Sequence, residues 1–133
     1  MTLLRLIGYW RSDEQPSWPN AKDFVDPLWR DDERRLVVRY LAAGTTDRVH
    51  RGCSDCRFCG EQNGNRELTD GTYLWPQGLA HYLRVHGLRL PKEFVTHAVS
   101  HTDTITAVEP SCIDDEIATD ETDGSWWAEQ RRP

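Results

Sequence analysis

Apolar and polar positions along this chain follow two kinds of spacing, and each predicts a different element. Between Pro27 and Ala43, Trp29, Leu36, Val37, Tyr40 and Leu41 recur at helical intervals and share one face of a predicted helix. Asp26 suits its N-cap and Pro27 its first position, while Asp31, Asp32 and Glu33 complement the positive end of the helix dipole. Gly44 suits the stop. Shorter runs predict strands: one within residues 1–10, ahead of Gly8 and the pair Tyr9-Trp10, and two more at Glu67–Thr69 and Thr72–Trp75. Turn signals at Asn63-Gly64 and Asp70-Gly71 bound the latter pair. Pro76 then opens a second helix over Gln77–His86, stopped by Gly87, and a third runs from Pro91 through Phe94 and Val95 to about Ser100.

The intervening segments carry turn-forming and polar residues. Residues 11–27, rich in Pro, Ser, Asp and Asn, predict a loop held by packing, with Trp18 and Trp29 as anchors. Thr45 to Gly60 is extended. After His101 periodicity is lost, so residues 1–101 read as the folded domain and 102–133 as an acidic, flexible tail. Trp126-Trp127 breaks that pattern, and two adjacent aromatics there serve either docking onto the domain or contact with a partner.

Composition changes this picture in one respect. Only 38% of residues are hydrophobic, so the core is thin and gains most from a metal staple. Charge is uneven. Residues 98–133 carry two basic against nine acidic side chains, whereas residues 48–97 carry seven against five. The net charge of −6 therefore lies almost wholly in the tail, and the mildly basic middle offers no strong case for a polyanionic partner. The opening MTLLRLIGYW is too short an apolar run for a signal peptide, and no stretch approaches the roughly 20 apolar residues that span a bilayer. A cytoplasmic protein without membrane contact is expected, and there clustered cysteines serve as metal ligands more often than as disulfides.

Cys56-Arg57-Phe58-Cys59-Gly60 provides that cluster. Two thiolates spaced by two residues grip one ion from a tight turn, and Gly supplies the positive φ such turns need. His81 and His86 follow on the predicted second helix. The set C-x2-C-x21-H-x4-H, two sulfurs with two imidazoles, favours one tetrahedral Zn2+. Histidines five apart on a regular helix diverge by about 140°, which the Gly87 terminus is expected to relieve. Cys53 extends the run to C-x2-C-x2-C and is the main alternative ligand; His50 and His97 are reserve imidazoles, and Cys112 lies in the tail. Four protein ligands close the site, so the ion is expected to be structural. The chain has no H-E-x-x-H, G-x-S-x-G or phosphate-loop motif, and the expected fold is a small zinc-stabilised α+β domain in which a knuckle hairpin and short strands pack on two or three helices.

The stretch CRFCGEQNGNRELTDGTYLWPQGLAHYLRVHGLRLPKEF resembles a group of small uncharacterised bacterial proteins, seen especially in high-GC genomes. They share a Cys-x-x-Cys-Gly knuckle, an E-L-T-D-G-x-Y segment and a W-P-x-G-L-x-H-Y helix ending in a second His. The GYW opening and the D-F-V-D-P segment fit as well, so the resemblance covers about residues 7–97. It implies that Cys56, Cys59, His81 and His86 act as one unit, and it implies no activity.

These readings make the chain a non-enzymatic zinc-binding interaction module whose partner is another protein, as for an immunity factor, adaptor or regulator. The aromatic loop 9–29 would present its surface. The alternative is a zinc-finger-like nucleic-acid binder using Arg84, Arg89 and Lys92 with Arg48, Arg51, Arg57 and Arg66. An enzyme with an unfamiliar site around His50, His97 and His101 is the third possibility.

Overall fold

A computed structural model describes residues 3–12, 16–49, 55–101 and 121–130, and the fold is α+β. Five strands form one sheet in the order β2-β3-β4-β1-β5: β1 (Leu3–Leu6), β2 (Thr45–Val49), β3 (Arg66–Thr69), β4 (Tyr73–Pro76) and β5 (Glu121–Asp123). The short loop at Asp70-Gly71 makes β3 and β4 antiparallel, with Leu68 opposite Trp75. β1 lies parallel to β4, with Leu6 level with Leu74, because the whole of the intervening chain separates them.

Tyr73, Leu74 and Trp75 are all buried although successive strand residues face opposite sides, so β4 is covered on both faces. That is why it reads as a continuous apolar run rather than an alternating one. Trp75 also gives its indole N–H to the Leu41 carbonyl, 3.1 Å away, which ties the sheet to the first helix.

Helices α1 (Asp31–Ala42), α2 (Leu79–His86) and α3 (Lys92–Ser100) form the helical layer, α1 packing against both others. Helix α1 starts four residues later than its pattern predicts. The Asp26 carboxylate accepts the Leu28 N–H at 3.0 Å and pairs with Arg89 at 3.1 Å, so Asp26–Trp29 closes a turn of its own. Arg30 is extended, at φ −58° and ψ 131°, and the helix begins after it. Val37, Tyr40 and Leu41 are buried as their spacing requires, whereas Leu36 lies at the edge of the stripe and is 38% exposed. Helix α2 likewise begins at Leu79, after a turn at Gln77-Gly78, and α3 runs from Lys92 behind Pro91.

The second departure concerns the C-terminal residues. Residues 121–130 fall in the segment predicted to be a flexible tail, yet β5 pairs with β1 through Leu4↔Thr122 and Arg5↔Asp123. A final one-turn helix, α4 (Ser125–Ala128), follows it. It sinks Trp127 among Trp10 and Phe24, with ring centroids 5.3 and 5.4 Å away. Strand pairing and aromatic burial outweigh the polarity of the surrounding sequence, which is the only property a composition reading weighs.

Candidate metal centre

The knuckle is built by backbone hydrogen bonds that leave its sulfurs pointing one way. Cys56 N–H donates to the Glu61 carbonyl at 2.9 Å, and Gly60 N–H to the Cys56 carbonyl at 3.0 Å. An antiparallel bridge between Asp55 and Gln62 closes the loop outside them. Gly60 sits at φ +73°, a conformation in which a side chain is strained. Inside the loop, Phe58 N–H points at the Cys56 sulfur, 3.4 Å away, and the Glu61 N–H bonds the Cys59 sulfur. Such amides offset charge on a thiolate.

Helix α2 brings the imidazoles. At its end, Gly87 takes the left-handed conformation and gives its N–H to the Tyr82 carbonyl, five residues back rather than four. The widened last turn reduces the divergence between His81 and His86, and side chains on a helix lean towards its N-terminus, which carries His86 back over His81. Their ring centroids end 5.1 Å apart. The expected difficulty with five-residue spacing is therefore resolved by the helix terminus.

Cys56, Cys59, His81 and His86 converge, with one ligand atom from each lying within 4.8 Å of all the others. Cys56 Sγ is 3.3 Å from His86 Nε2, and Cys59 Sγ is 3.4 Å from His81 Nε2. A tetrahedral ion with sulfur at about 2.3 Å and nitrogen at about 2.0 Å requires sulfur–nitrogen edges of about 3.5 Å. The four side chains can thus hold one metal ion with small adjustments. Cys56 is buried and Cys59 exposed, so the site lies at the surface with one side anchored in the core.

The protonation tendencies of the donors fit this use. Burial first, and the neighbouring His81 second, hold His86 below its ordinary value, which keeps it a neutral ligand at neutral pH. For Cys59 the largest single influence is the Glu61 N–H, which lowers it. Desolvation and the adjoining Cys56 thiol outweigh that bond and leave Cys59 raised. Two thiols pressed together resist ionising as a pair, and a bound cation removes that resistance.

Two aromatic residues that the ligand spacing does not mark complete the centre. Tyr82, buried on α2 between the histidines, accepts the Arg57 N–H on its hydroxyl oxygen at 2.9 Å and so ties knuckle to helix. Phe58 stacks on the His86 ring at 4.7 Å and 21°, fixing its plane. The visible signal was Phe58 inside the C-x-x-C and Tyr82 beside His81, but nothing in spacing alone assigns an aromatic to a hydrogen bond.

Cys53, His50 and Cys112 fall outside the described residues. His97 is remote from the knuckle: its Nε2 lies 2.8 Å from Asp70 Oδ2, which Tyr40 Oη also bonds. Asp70 Oδ1 accepts the N–H groups of Thr72 and Tyr73 at 2.9 and 2.8 Å, so this cluster pins the β3–β4 turn to α1 and α3. The loop expected to present aromatics instead buries most of them, since Trp10, Phe24 and Trp29 belong to the core. Trp127 is buried too, while Trp126 is partly exposed and gives its N–H to Glu93 at 3.0 Å. Among the basic residues, Arg89 is held by Asp26 and Trp29, and Arg57 and Arg66 line a cleft of about 400 Å³ beside the knuckle.

No protein-family model, curated protein or solved structure matches the chain. Among the described residues, no helix is long and apolar enough to cross a membrane.

Proposed function

We propose that this chain is a non-enzymatic binding module stapled by one structural zinc ion, and that it acts by engaging another protein, as an immunity factor, adaptor or regulator does. The observation that carries this reading is the donor set itself. Two thiols from a turn and two imidazoles from a helix converge to within 4.8 Å of one another, and an ion bound by all four would have no position left for water or substrate. Sulfur with imidazole favours zinc over the hard cations, which take oxygen. An ion of that kind joins the knuckle to α2 and so supports a thin core.

X-ray absorption on the zinc-loaded protein tests the closed site, with two sulfur and two nitrogen neighbours as the expected shell. A coordinated water oxygen would make the centre open and catalytic, against this proposal. In-cell crosslinking then tests the partner: a discrete protein adduct is expected with the native chain and not with Cys59→Ser. Equal adducts from both chains would separate partner binding from the metal-stapled fold.

A nucleic-acid reading is favoured by one observation, the convergence of Arg57 and Arg66 on a cleft that also carries Tyr9 and Trp18. Filter binding at low and high salt tests it, and absence of salt-sensitive retention of DNA or RNA removes it.

A further inference from the structure

The cleft beside the knuckle has three kinds of wall. Tyr9 and Trp18 form an aromatic side, their rings 6.2 Å apart and tilted by 38°, and both are partly exposed. Asn63 and Gln77 form an amide floor. It is a fixed floor: Asn63 Nδ2 donates to the Gly78 carbonyl at 3.2 Å, Gln77 Oε1 accepts the Asn65 N–H at 3.3 Å, and Gln77 N–H donates to the Arg66 carbonyl at 2.8 Å. These bonds leave Asn63 Oδ1 as an acceptor and the Gln77 amide N–H groups as donors.

The third wall is cationic. Arg57 comes from the knuckle and Arg66 from the start of β3, and neither pairs with a carboxylate among the described residues. Two carboxylates also line the cleft, Glu67 and Asp55. Glu67 accepts the Tyr9 hydroxyl at 2.7 Å and is largely buried behind it; the guanidinium near it, Arg48, lies 4.0 Å away and is closer to Asp47, at 3.1 Å. Among the described residues, the exposed charged side chains that line the cleft are therefore two guanidiniums against one carboxylate, Asp55.

A half-open cleft of about 400 Å³ falls within the size range of small-molecule sites. Its chemistry is specific: flat apolar faces for a ring, fixed donors and acceptors for that ring's edge, and guanidiniums for an anion. From this arrangement we infer that the cleft binds a nucleotide, the base against Tyr9 and Trp18 with its edge toward Asn63 and Gln77, and the phosphate between Arg57 and Arg66. This goes beyond the protein-interaction reading and gives the nucleic-acid reading a defined site. It does not fall with either one, since a free nucleotide suffices.

Calorimetric titration of the zinc-loaded full chain with adenosine and uridine 5′-monophosphates tests this. Uridine, adenosine and inorganic phosphate serve as part-ligands, and a short single-stranded oligonucleotide as the polymeric form. Saturable binding of at least one monophosphate is expected, at least tenfold tighter than its nucleoside or phosphate alone. Arg66→Ala and Trp18→Ala should each weaken it at least tenfold, and Arg84→Ala, a basic change outside the cleft lining, should not. Trp18→Phe, which keeps a stacking face, should retain most of the affinity and covers the case in which Trp18→Ala fails to fold. Tighter binding of the oligonucleotide, lost in Trp18→Ala, identifies a single strand as the source, whereas mononucleotide binding at least as tight identifies the free nucleotide. The inference is overturned if no monophosphate binds saturably. Binding no tighter than phosphate alone, or unchanged in Arg66→Ala, overturns it equally.

Discussion

The indole N–H of Trp127 donates to the backbone carbonyl of Tyr9 at 2.6 Å, across 118 residues of sequence. That bond lies at the centre of an aromatic group in which Trp10, Phe24, Tyr82 and Trp127 meet at mostly edge-on angles. Tyr82 belongs at once to this group and to the metal centre, where it holds the Arg57 amide. The two features are therefore mechanically linked through one side chain.

Trp127→Ala should destabilise the chain by about 3–5 kcal/mol, the usual range for deleting a fully buried Trp, because Trp127 is 0% exposed. Trp126→Ala should cost less, about 1–2 kcal/mol, since Trp126 is only partly buried and the change removes an exposed hydrogen bond to Glu93 and ring contacts with Arg5 and Tyr73. Urea unfolding of both variants checks the difference. A similar midpoint for the two would place Trp127 outside the core.

Removal of the ion should lower the melting temperature. At a zinc concentration a thousandfold above Kd, linkage contributes about 4 kcal/mol, or roughly 15 °C for a domain of this size. The cobalt-substituted protein should show a tetrahedral S2N2 spectrum that Cys59→Ser abolishes and Cys53→Ser leaves intact. Loss of that spectrum in the Cys53 variant instead would reassign the ligand set.

Metal uptake should release protons and tighten as pH rises through neutrality. Cys59 is raised above its ordinary value, so the metal-free thiol is protonated at neutral pH and must lose its proton to bind. His86 is lowered, chiefly by burial, and is already neutral there. Because the folded chain binds fewer protons at His86 than the unfolded one between the two values, metal-free stability should fall as pH drops through that window. Calorimetry in buffers of different ionisation heat reads the proton count, and a count of zero would contradict the thiol assignment.

Gly60→Ala should weaken metal binding about tenfold, because Gly60 holds φ +73° and a Cβ there costs about 1–2 kcal/mol. Gly60→Asn should lose less, since Asn tolerates that conformation. No atom lies within 4 Å of the added Cβ, so the loss is conformational rather than steric. Competition with a chromophoric chelator measures both variants.

Asp70→Ala should destabilise by about 3 kcal/mol, as it leaves the Tyr40 hydroxyl, the His97 ring and the Thr72 and Tyr73 amides without their partner. Tyr40→Phe removes one of those donors and should cost about 1 kcal/mol. Equal effects on urea unfolding would show that the carboxylate acts only through Tyr40.

The parts of this fold that the sequence made legible are those whose causes are local. Gly87 and Pro91 bound two helices, Asp70-Gly71 turns a hairpin, and C-x2-C with two helical histidines brings four donors to one point. The start of α1 departs from its pattern because Asp26, a good helix cap by type, gives its carboxylate to the Leu28 amide and to Arg89, a residue 63 positions away. Residues 121–130 depart from the pattern for a related reason. Their order comes from parallel pairing with β1 and from the pocket around Trp10, and neither partner lies within a local window. The cleft, whose walls come from residues 9, 18, 57, 63, 66 and 77, was invisible until the chain was folded.

The sheet order has a consequence for the nascent chain. All four candidate metal donors emerge within residues 56–86, whereas β1 waits for the partner strand at Glu121–Asp123. At about 5–20 residues per second, translation from His86 to Trp127 takes on the order of several seconds. During that interval the open edge of β1 is a template for pairing with another chain. An ion captured early by the knuckle and α2 would hold those two segments together while that edge is still bare.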